Sequence, residues 1–310
     1  MAIQPSPESI GTRDTWPDLL DKRFDVMWLR RDEAADLVLG QFFDKQMLTG
    51  GDNWKMGSVG RTLPLPLENE DTEATPYHAP APGFDKTATV VLYQSGVRVT
   101  RSAIEVDRFG RIAGMLGGLI TSSQRKDEYM RAAILNNAFT GDDGADSKDL
   151  CDDAHPHERA EASGTWDNKT TGALAGPSLQ AARLLARKMV GEDGDPDPLM
   201  PLTLLIPEDL EQKAHELIDS RAKPDGMLNN VNWGLNFDIV VSPYLSSAVQ
   251  FYLFGDRTGD QKGLIKVELF GWNIGNNSPS DRRIVIDKSI TACRTVGFTK
   301  SKNVLGSTGA

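Results

Sequence analysis

The chain has 310 residues, 39% hydrophobic and 25% charged, which is ordinary globular usage with enough apolar surface for a core and length for two compact regions. A net charge of -10 argues against a protein whose main affinity is for phosphate backbones. Cys151 and Cys293 are the only cysteines and form no Cys-x-x-Cys pair, so they read as free thiols in a reducing compartment, not as a disulfide framework or zinc knuckle. No apolar run approaches the length of a membrane span, and the first residues lack a secretory signal pattern.

In chain order, residues 1 to 15 are rich in Pro, Ser and Gly and read as an extended arm. Beyond Trp16, the residues Leu20, Phe24, Met27, Trp28, Leu37, Val38, Phe42 and Phe43 recur at helical spacing, with Thr15 able to cap and Pro17 suited to a first turn. This amphipathic stretch needs a surface to lie on, in its own subunit or another. Residues 49 to 82 are rich in proline and glycine and carry no helical period. The next stretch, "GFDKTATVVLYQSGVRVTRSAIEVDRFGRI", alternates from Phe84 to Thr100, with Gly96 predicted to mark a bulge or a close backbone approach. Residues 50 to 100 therefore read as a long two-stranded excursion with a proline-rich tip.

Ser102 and Glu105 form a capping box, and a helix is predicted from Ala103 to about Ala138. Gly110, Gly114, Gly117 and Gly118 each cost about 1 kcal/mol against alanine, which suggests a bend or close packing in its first half. Residues 140 to 178 are polar and irregular. Periodicity returns in "SLQAARLLARKMV", followed by the buried strand "PLTLLIP", the helix "PEDLEQKAHELIDS" and the strands within "LNFDIVVSPYL" and "AVQFYLFGD". This α/β unit, about 175 to 258, reads as an insertion between the long helix and the last alternating strands, "KGLIKVELFG" and "RRIVIDKSITACRTVGFT".

Chemistry is sparse. The loop bearing Asp142, Asp143, Asp146, Asp149, Asp152, Asp153, His155, His157 and Glu158 matches neither His-Glu-x-x-His nor a calcium loop and reads as a solvated loop. "EDGDPDP" places alternating aspartates at 193, 195 and 197, but Pro198 and Leu204 stand where a calcium loop needs glycine and glutamate. Cys151 lies near His155 and His157, yet its acidic surroundings disfavour a thiolate. His215, within the helical stretch at 207 to 220, reads as a surface or packing residue. No nucleophile elbow, Walker loop or dinucleotide fingerprint occurs, so no catalytic, cofactor or metal site is expected. Arg98, Arg101, Arg108, Arg111, Arg125 and Lys126 cluster around the predicted long helix. Without interleaved aromatics, ion pairing within or between subunits is the better reading than nucleic-acid contact.

The string from "GFDKTATVVLYQSGVRVTRSAIEVDRFGRI" through "LNNAFTG", "DLCDDAHP", "TWDN" and "LLIPEDLEQKAHELIDS" to "DIVVSPYL" and "FYLFGD" resembles the Mu-like branch of tailed-bacteriophage major capsid proteins. The resemblance spans about residues 50 to 310 and rests on order and spacing, since no single piece is a strict motif. It implies an α+β chain with the Hong Kong 97 phage fold. The N-terminal arm would be 1 to 48 and the extended loop 49 to 101. A peripheral domain, 102 to 174, would carry a spine helix over 103 to 138, the axial domain would be 175 to 258, and strands in 259 to 310 would complete the peripheral domain.

Such a protein would assemble with itself through hexamers and pentamers into an icosahedral shell around phage double-stranded DNA, touched weakly and non-specifically on the inner face. Its other partners would be a separate scaffold or protease-scaffold, since the arm is short, together with a portal protein and, optionally, a decoration protein. It would belong to the virion and assemble in the bacterial host cytoplasm, without a membrane. Trp16, Phe24, Trp28, Phe42, Phe43, Trp54, Lys55, Arg61, Tyr77, Phe84, Tyr93, Arg98 and Arg101 are the expected inter-subunit contacts. Lys55 with Asn276 or Asn277 is a formal candidate for the isopeptide crosslink of some relatives, but no diagnostic motif accompanies it. The alternatives are an encapsulin-like compartment holding cargo enzyme and a soluble α/β enzyme using the acidic loop.

Overall fold

The structure is a computed structural model that describes residues 38–59, 82–100, 111–141, 144–157, 164–190, 196–219, 237–258, 262–277 and 285–310. The predicted capping box at Ser102 and Glu105 and the basic residues Arg101 and Arg108 lie outside these.

Two sheets are joined by one helix. The first sheet has the order β1 (Asp44–Met47), β11 (Leu264–Asn277), β12 (Val285–Phe298), β4 (Val91–Thr100). Its first pair is parallel and the other two are antiparallel. The second sheet has the order β7 (Lys169–Thr170), β13 (Val304–Ser307), β10 (Phe251–Gly255), β8 (Pro201–Ile206), β9 (Asp238–Val241). Two smaller pairs are the hairpin β2 (Asn53–Val59) with β3 (Pro82–Thr89) and the short pair β5 (His155–Pro156) with β6 (Thr165–Trp166).

The second sheet is buried on both faces, which explains why its strands read as continuous apolar runs. Leu204 and Ile206 of β8, Phe251 and Leu253 of β10 and Leu305 of β13 join one core cluster with helices α2 (Gly176–Arg187) and α3 (Glu211–Ile218). Leu205, Tyr252, Phe254 and Val304, the alternate residues, join the other cluster with Ala132 and Leu135 of helix α1 (Arg111–Asn136). The single turn Gly40–Phe42 closes that cluster, with Phe42 stacked on Phe254 at 4.1 Å between ring centroids.

Helix α1 runs for 26 residues, about 39 Å at 1.5 Å per residue. Its first half lies on β12 and β4, and its last turn is fastened to the second sheet. There the Tyr252 hydroxyl donates to the Leu135 carbonyl at 2.7 Å, satisfying an acceptor at the helix end. Burial pushes the Tyr252 phenol above its ordinary range, so it stays a neutral donor. The Asn136 amide donates to the Tyr244 carbonyl at 3.2 Å, and its oxygen accepts from the Ser246 N–H at 2.9 Å.

Three sequence expectations are corrected. Gly96 is not a bulge: it pairs with Ser289 in an unbroken register. The chain instead changes partner at Val90, whose buried side chain joins Ile265, Val267 and Cys293 while its N–H donates to the Asp52 carbonyl. Helical spacing does not continue through Phe43, because residues 44 to 47 form β1 and pair with β11. Among the described residues, Gly114 and Gly118 have no neighbour within 4 Å of a Cβ position, so close packing on these does not account for them. Beyond the last two predicted alternating strands, the end of the chain adds β13, which lies between β7 and β10 in the second sheet.

The place of β13 requires a glycine. A Cβ on Gly306 would stand 2.7 Å from Cys151 Sγ and 2.8 Å from Phe139 Cζ. Gly306→Ala is expected to destabilise the subunit by about 1–3 kcal/mol through overpacking, read as a lower urea midpoint at unchanged slope.

Candidate functional site

The acid- and histidine-rich loop forms a structural hub. Asn168 is fully buried, and its Nδ2 donates to the carbonyls of Leu150, Ser301 and Val304 at 2.8, 3.1 and 3.1 Å. Its Oδ1 accepts from the Asp152 N–H at 2.9 Å and faces His155 Nε2 at 3.1 Å. His155 Nδ1 lies 2.6 Å from Asp146 Oδ2, and the imidazole stacks on Trp166 with centroids 4.3 Å apart. One amide thus ties the 150s loop to the C-terminal segment. Cys151 is fully buried, and desolvation pushes its thiol far above the ordinary value, opposite to what a nucleophile requires. Among the described residues no group of three or more His, Cys, Asp or Glu is placed to hold a metal ion, and no helix is long and apolar enough to cross a membrane.

The strongest electrostatic feature lies between α1 and the first sheet. Arg294 of β12 stands opposite Glu268 of β11 in the strand register. Its guanidinium grips the Asp127 carboxylate of α1 with both terminal nitrogens, Nη1 at 2.5 Å from Oδ2, and Nη1 also reaches Glu268 Oε1 at 3.3 Å. Lys266 lies 2.5 Å from Glu268 Oε1 and 3.3 Å from Asp127 Oδ2. Lys45 of β1 adds an exposed ammonium 2.8 Å from Glu268 Oε2. Trp272 Nε1 donates to Asp127 Oδ1 at 3.3 Å, and its ring lies 4.1 Å below the Arg294 guanidinium.

Register shifts on either side of Phe270 help set this geometry. Phe270 shares strand parity with Lys266, Glu268 and Trp272, yet it is 37% exposed while Glu268 is 2% exposed. Burial, the largest influence, raises the Asp127 carboxyl above its ordinary value, against the pull of Lys266 and Arg294. Burial alone would raise Glu268 too, but Lys266 and Lys45 outweigh it and hold that carboxyl at about 2. Burial also lowers Arg294, opposed by Asp127 and Glu268. The sequence signal for this cluster is the placing of charges at alternate positions of an otherwise apolar strand, "LIKVELF".

The expected contact residues separate into groups. Trp16, Phe24, Trp28, Arg61, Tyr77 and Arg101 lie outside the described residues. Phe42 and Phe43 are buried in the chain's own core, so their rings are not surfaces for a neighbour. Trp54 packs partly onto the Val90 cluster, and Lys55 pairs with Asp85 across the hairpin at 2.9 Å, both ends exposed. Phe84 faces a small cleft beside Trp166 and Lys302. Arg98 is exposed on β4, a strand whose outer edge pairs with no described strand. Tyr93 lies under Lys126, whose ammonium is 5.0 Å from the ring centroid. Aromatic residues absent from the basic cluster in sequence are thus brought to it from β4 and β11.

A family profile described as Phage capsid protein matches residues 84–286. The chain is also similar to solved capsid subunits. Against the procapsid of bacteriophage JBD30 the identity is 14% and the TM-score 0.54, covering 94% of this chain and 75% of that one. Against the capsid of the cyanophage P-SCSP1u the values are 11% and 0.55, covering 86% of each. A virus-like particle from Pyrococcus furiosus matches at 9% and 0.50, covering 92% of this chain and 97% of that one. No protein of curated function matches the sequence.

The depressed Glu268 carboxyl fixes the sign of one pH dependence. Its folded value of about 2 lies below the ordinary 4.5, so its stabilisation is complete above 4.5 and is lost as pH falls towards 2. The difference in unfolding free energy between the native chain and Glu268→Gln is expected to shrink by about 3 kcal/mol across that window. Urea titrations at a series of pH values check it.

Proposed function

The chain belongs to the phage capsid protein family, and it is a major capsid protein of an icosahedral shell; we propose that it follows the Mu-like branch and the Hong Kong 97 plan. In this reading the subunit assembles through hexamers and pentamers around double-stranded DNA in a bacterial host cytoplasm and remains in the virion. The observation that carries it is the family match over residues 84–286, which includes α1, four of the five strands of the second sheet, and β4 and β11 of the first. Helix α1 is assigned as the spine, the hairpin β2–β3 with its tip as the extended loop, and the second sheet with α2 and α3 as the axial unit. We end the proposed arm at about 38 instead of 48; the packing of Leu39, Phe42 and Phe43 in the core and the pairing of residues 44 to 47 with β11 support that choice.

The physical logic is heterologous contact repeated until it closes. A projecting hairpin offers backbone and alternate side chains to a neighbour, and β4, whose outer edge pairs with no described strand, is a second surface for one. A separate scaffold or protease-scaffold, a portal, a decoration protein and weak inner-face contact with DNA complete the proposed partners. We assign the subunit no catalytic step, since Cys151 and His155 are absorbed into packing. A compartment for cargo enzyme is not favoured: the likeness to the Pyrococcus furiosus particle is one of fold at 9% identity, whereas the family profile is that of phage.

The hairpin supplies a clean test, because Val59 pairs with Pro82 at the last described rung before the tip. Replacing residues 60 to 81 with an Asn-Gly turn is expected to leave a folded subunit with an unchanged urea midpoint that forms no stable shells. Normal particles from that variant, seen by electron microscopy, would remove the proposed role of the loop.

A further inference from the structure

The hub around Asn168 contains a ring that faces more acceptors than a neutral imidazole has protons. His155 is fully buried, and each ring nitrogen meets an oxygen: Nδ1 lies 2.6 Å from Asp146 Oδ2, and Nε2 lies 3.1 Å from Asn168 Oδ1. The orientation of the Asn168 amide decides whether the second contact needs a proton on the ring. Its Nδ2 sits among the carbonyls of Leu150, Ser301 and Val304, and its Oδ1 already accepts from the Asp152 N–H. Turning the amide over would set its oxygen against three others and its NH2 group against an N–H. Oδ1 is therefore an acceptor, and Nε2 must donate. The Asp146 carboxylate is oriented as well, since its Oδ1 accepts from the Lys148 N–H at 3.2 Å. Its contact with Nδ1 has the short spacing of a charge-assisted bond. A neutral imidazole has one N–H, and this ring uses two.

The surroundings suit a cation. The Trp166 indole stacks on the ring at 4.3 Å between centroids. Besides Asp146, the carboxylates of Asp152 and Asp167 lie near enough to feel its charge. The cations beside them are Lys148 near Asp152, Lys169 near Asp167, and Lys302, whose ammonium is 5.6 Å from the Trp166 centroid. Asp146 is partly exposed and lines a small cleft with Lys300 and Lys302, which gives a proton a route to solvent. Through Asn168 the ring acts at a distance. Ser301 and Val304, two of the three carbonyl partners of the amide, belong to the stretch that carries the chain from β12 in the first sheet into β13 in the second. Without its second proton, the ring would turn a lone pair towards an oxygen in a buried site, which costs stability.

We propose that His155 is a buried imidazolium whose second proton latches the joint between the two sheets, so that the joint loosens as pH rises. An exposed histidine is mostly neutral above about pH 6.5, so a proton held there only by the folded chain stabilises the fold. That contribution is complete below about 6.5 and is lost as pH climbs and the ring gives the proton up. The device goes beyond the shell reading and does not depend on it.

The test uses the full-length subunit with isotope-labelled histidine ring nitrogens, assigned by replacing His78, His155, His157 and His215 with glutamine one at a time. Nuclear magnetic resonance at neutral pH is expected to show protons on both nitrogens of the His155 ring. A bare Nδ1 or Nε2 there would overturn the inference, and elimination through the other three histidines assigns the ring even if His155→Gln fails to fold. The second readout is amide hydrogen exchange over residues 299 to 308, corrected for the intrinsic effect of pH. Opening of this stretch is expected to grow by up to about tenfold per pH unit in the alkaline range, the slope set by one proton, while α2 does not follow it. Asp146→Ala should flatten that slope and leave the His155 ring with one proton at neutral pH. An equal slope in the native chain and Asp146→Ala, or one shared by the whole chain, would overturn the inference. Whether particles form bears on the shell reading alone.

Discussion

The grip of Arg294 and Lys266 on the Asp127 carboxylate is the constraint on which the rest depends, because it locks α1 to the first sheet. About two turns further on, the same helix is fastened to β10 of the second sheet through Leu135 and to the segment after β9 through Asn136. One helix bonded to both sheets makes the subunit a beam joining them. Removing one member of such a buried pair costs about 3–5 kcal/mol, whereas replacing all of it with apolar groups is often neutral. Its value here lies in geometry: Arg294 and Trp272 meet Asp127 in only one placement of the helix. A shell subunit needs that property, since an error in angle between its two halves would repeat in every copy.

Around this rigid centre the surfaces are unequal. The β1 edge follows the turn at 40 to 42, while the β4 edge pairs with no described strand and is bordered by a cleft lined by Tyr93 and Trp272. The hairpin leaves the body at Val90, where one buried side chain separates a strand of the hairpin from a strand of the sheet. Unlike edges and a projecting arm are what head-to-tail closure requires.

Much of the fold was legible where one period ruled locally. The strand at 201 to 206 and the helices α2 and α3 lie where apolar spacing and proline boundaries predict them. The long helix was also legible, but its glycines were not, because Gly114 and Gly118 meet no neighbour among the described residues. Phe42 and Phe43 misled for a physical reason: a large aromatic after an amphipathic run reads the same whether it meets its own core or a neighbour's. Gly96 misled because an extended backbone needs no glycine, while the real pivot, Val90, is an ordinary strand residue. The ion-paired hub was least visible, since Asp127, Lys266, Glu268 and Arg294 come from three elements and only tertiary structure makes them neighbours.

The most direct measurement of the central claim is a cryo-electron-microscopy reconstruction of particles assembled from the purified chain. The account predicts closed icosahedral shells in which each subunit keeps α1 bonded to both sheets and every β4 edge is covered by a second copy. Subunits that remain monomeric under all assembly conditions, or shells in which β4 and its cleft face empty solvent, would contradict it.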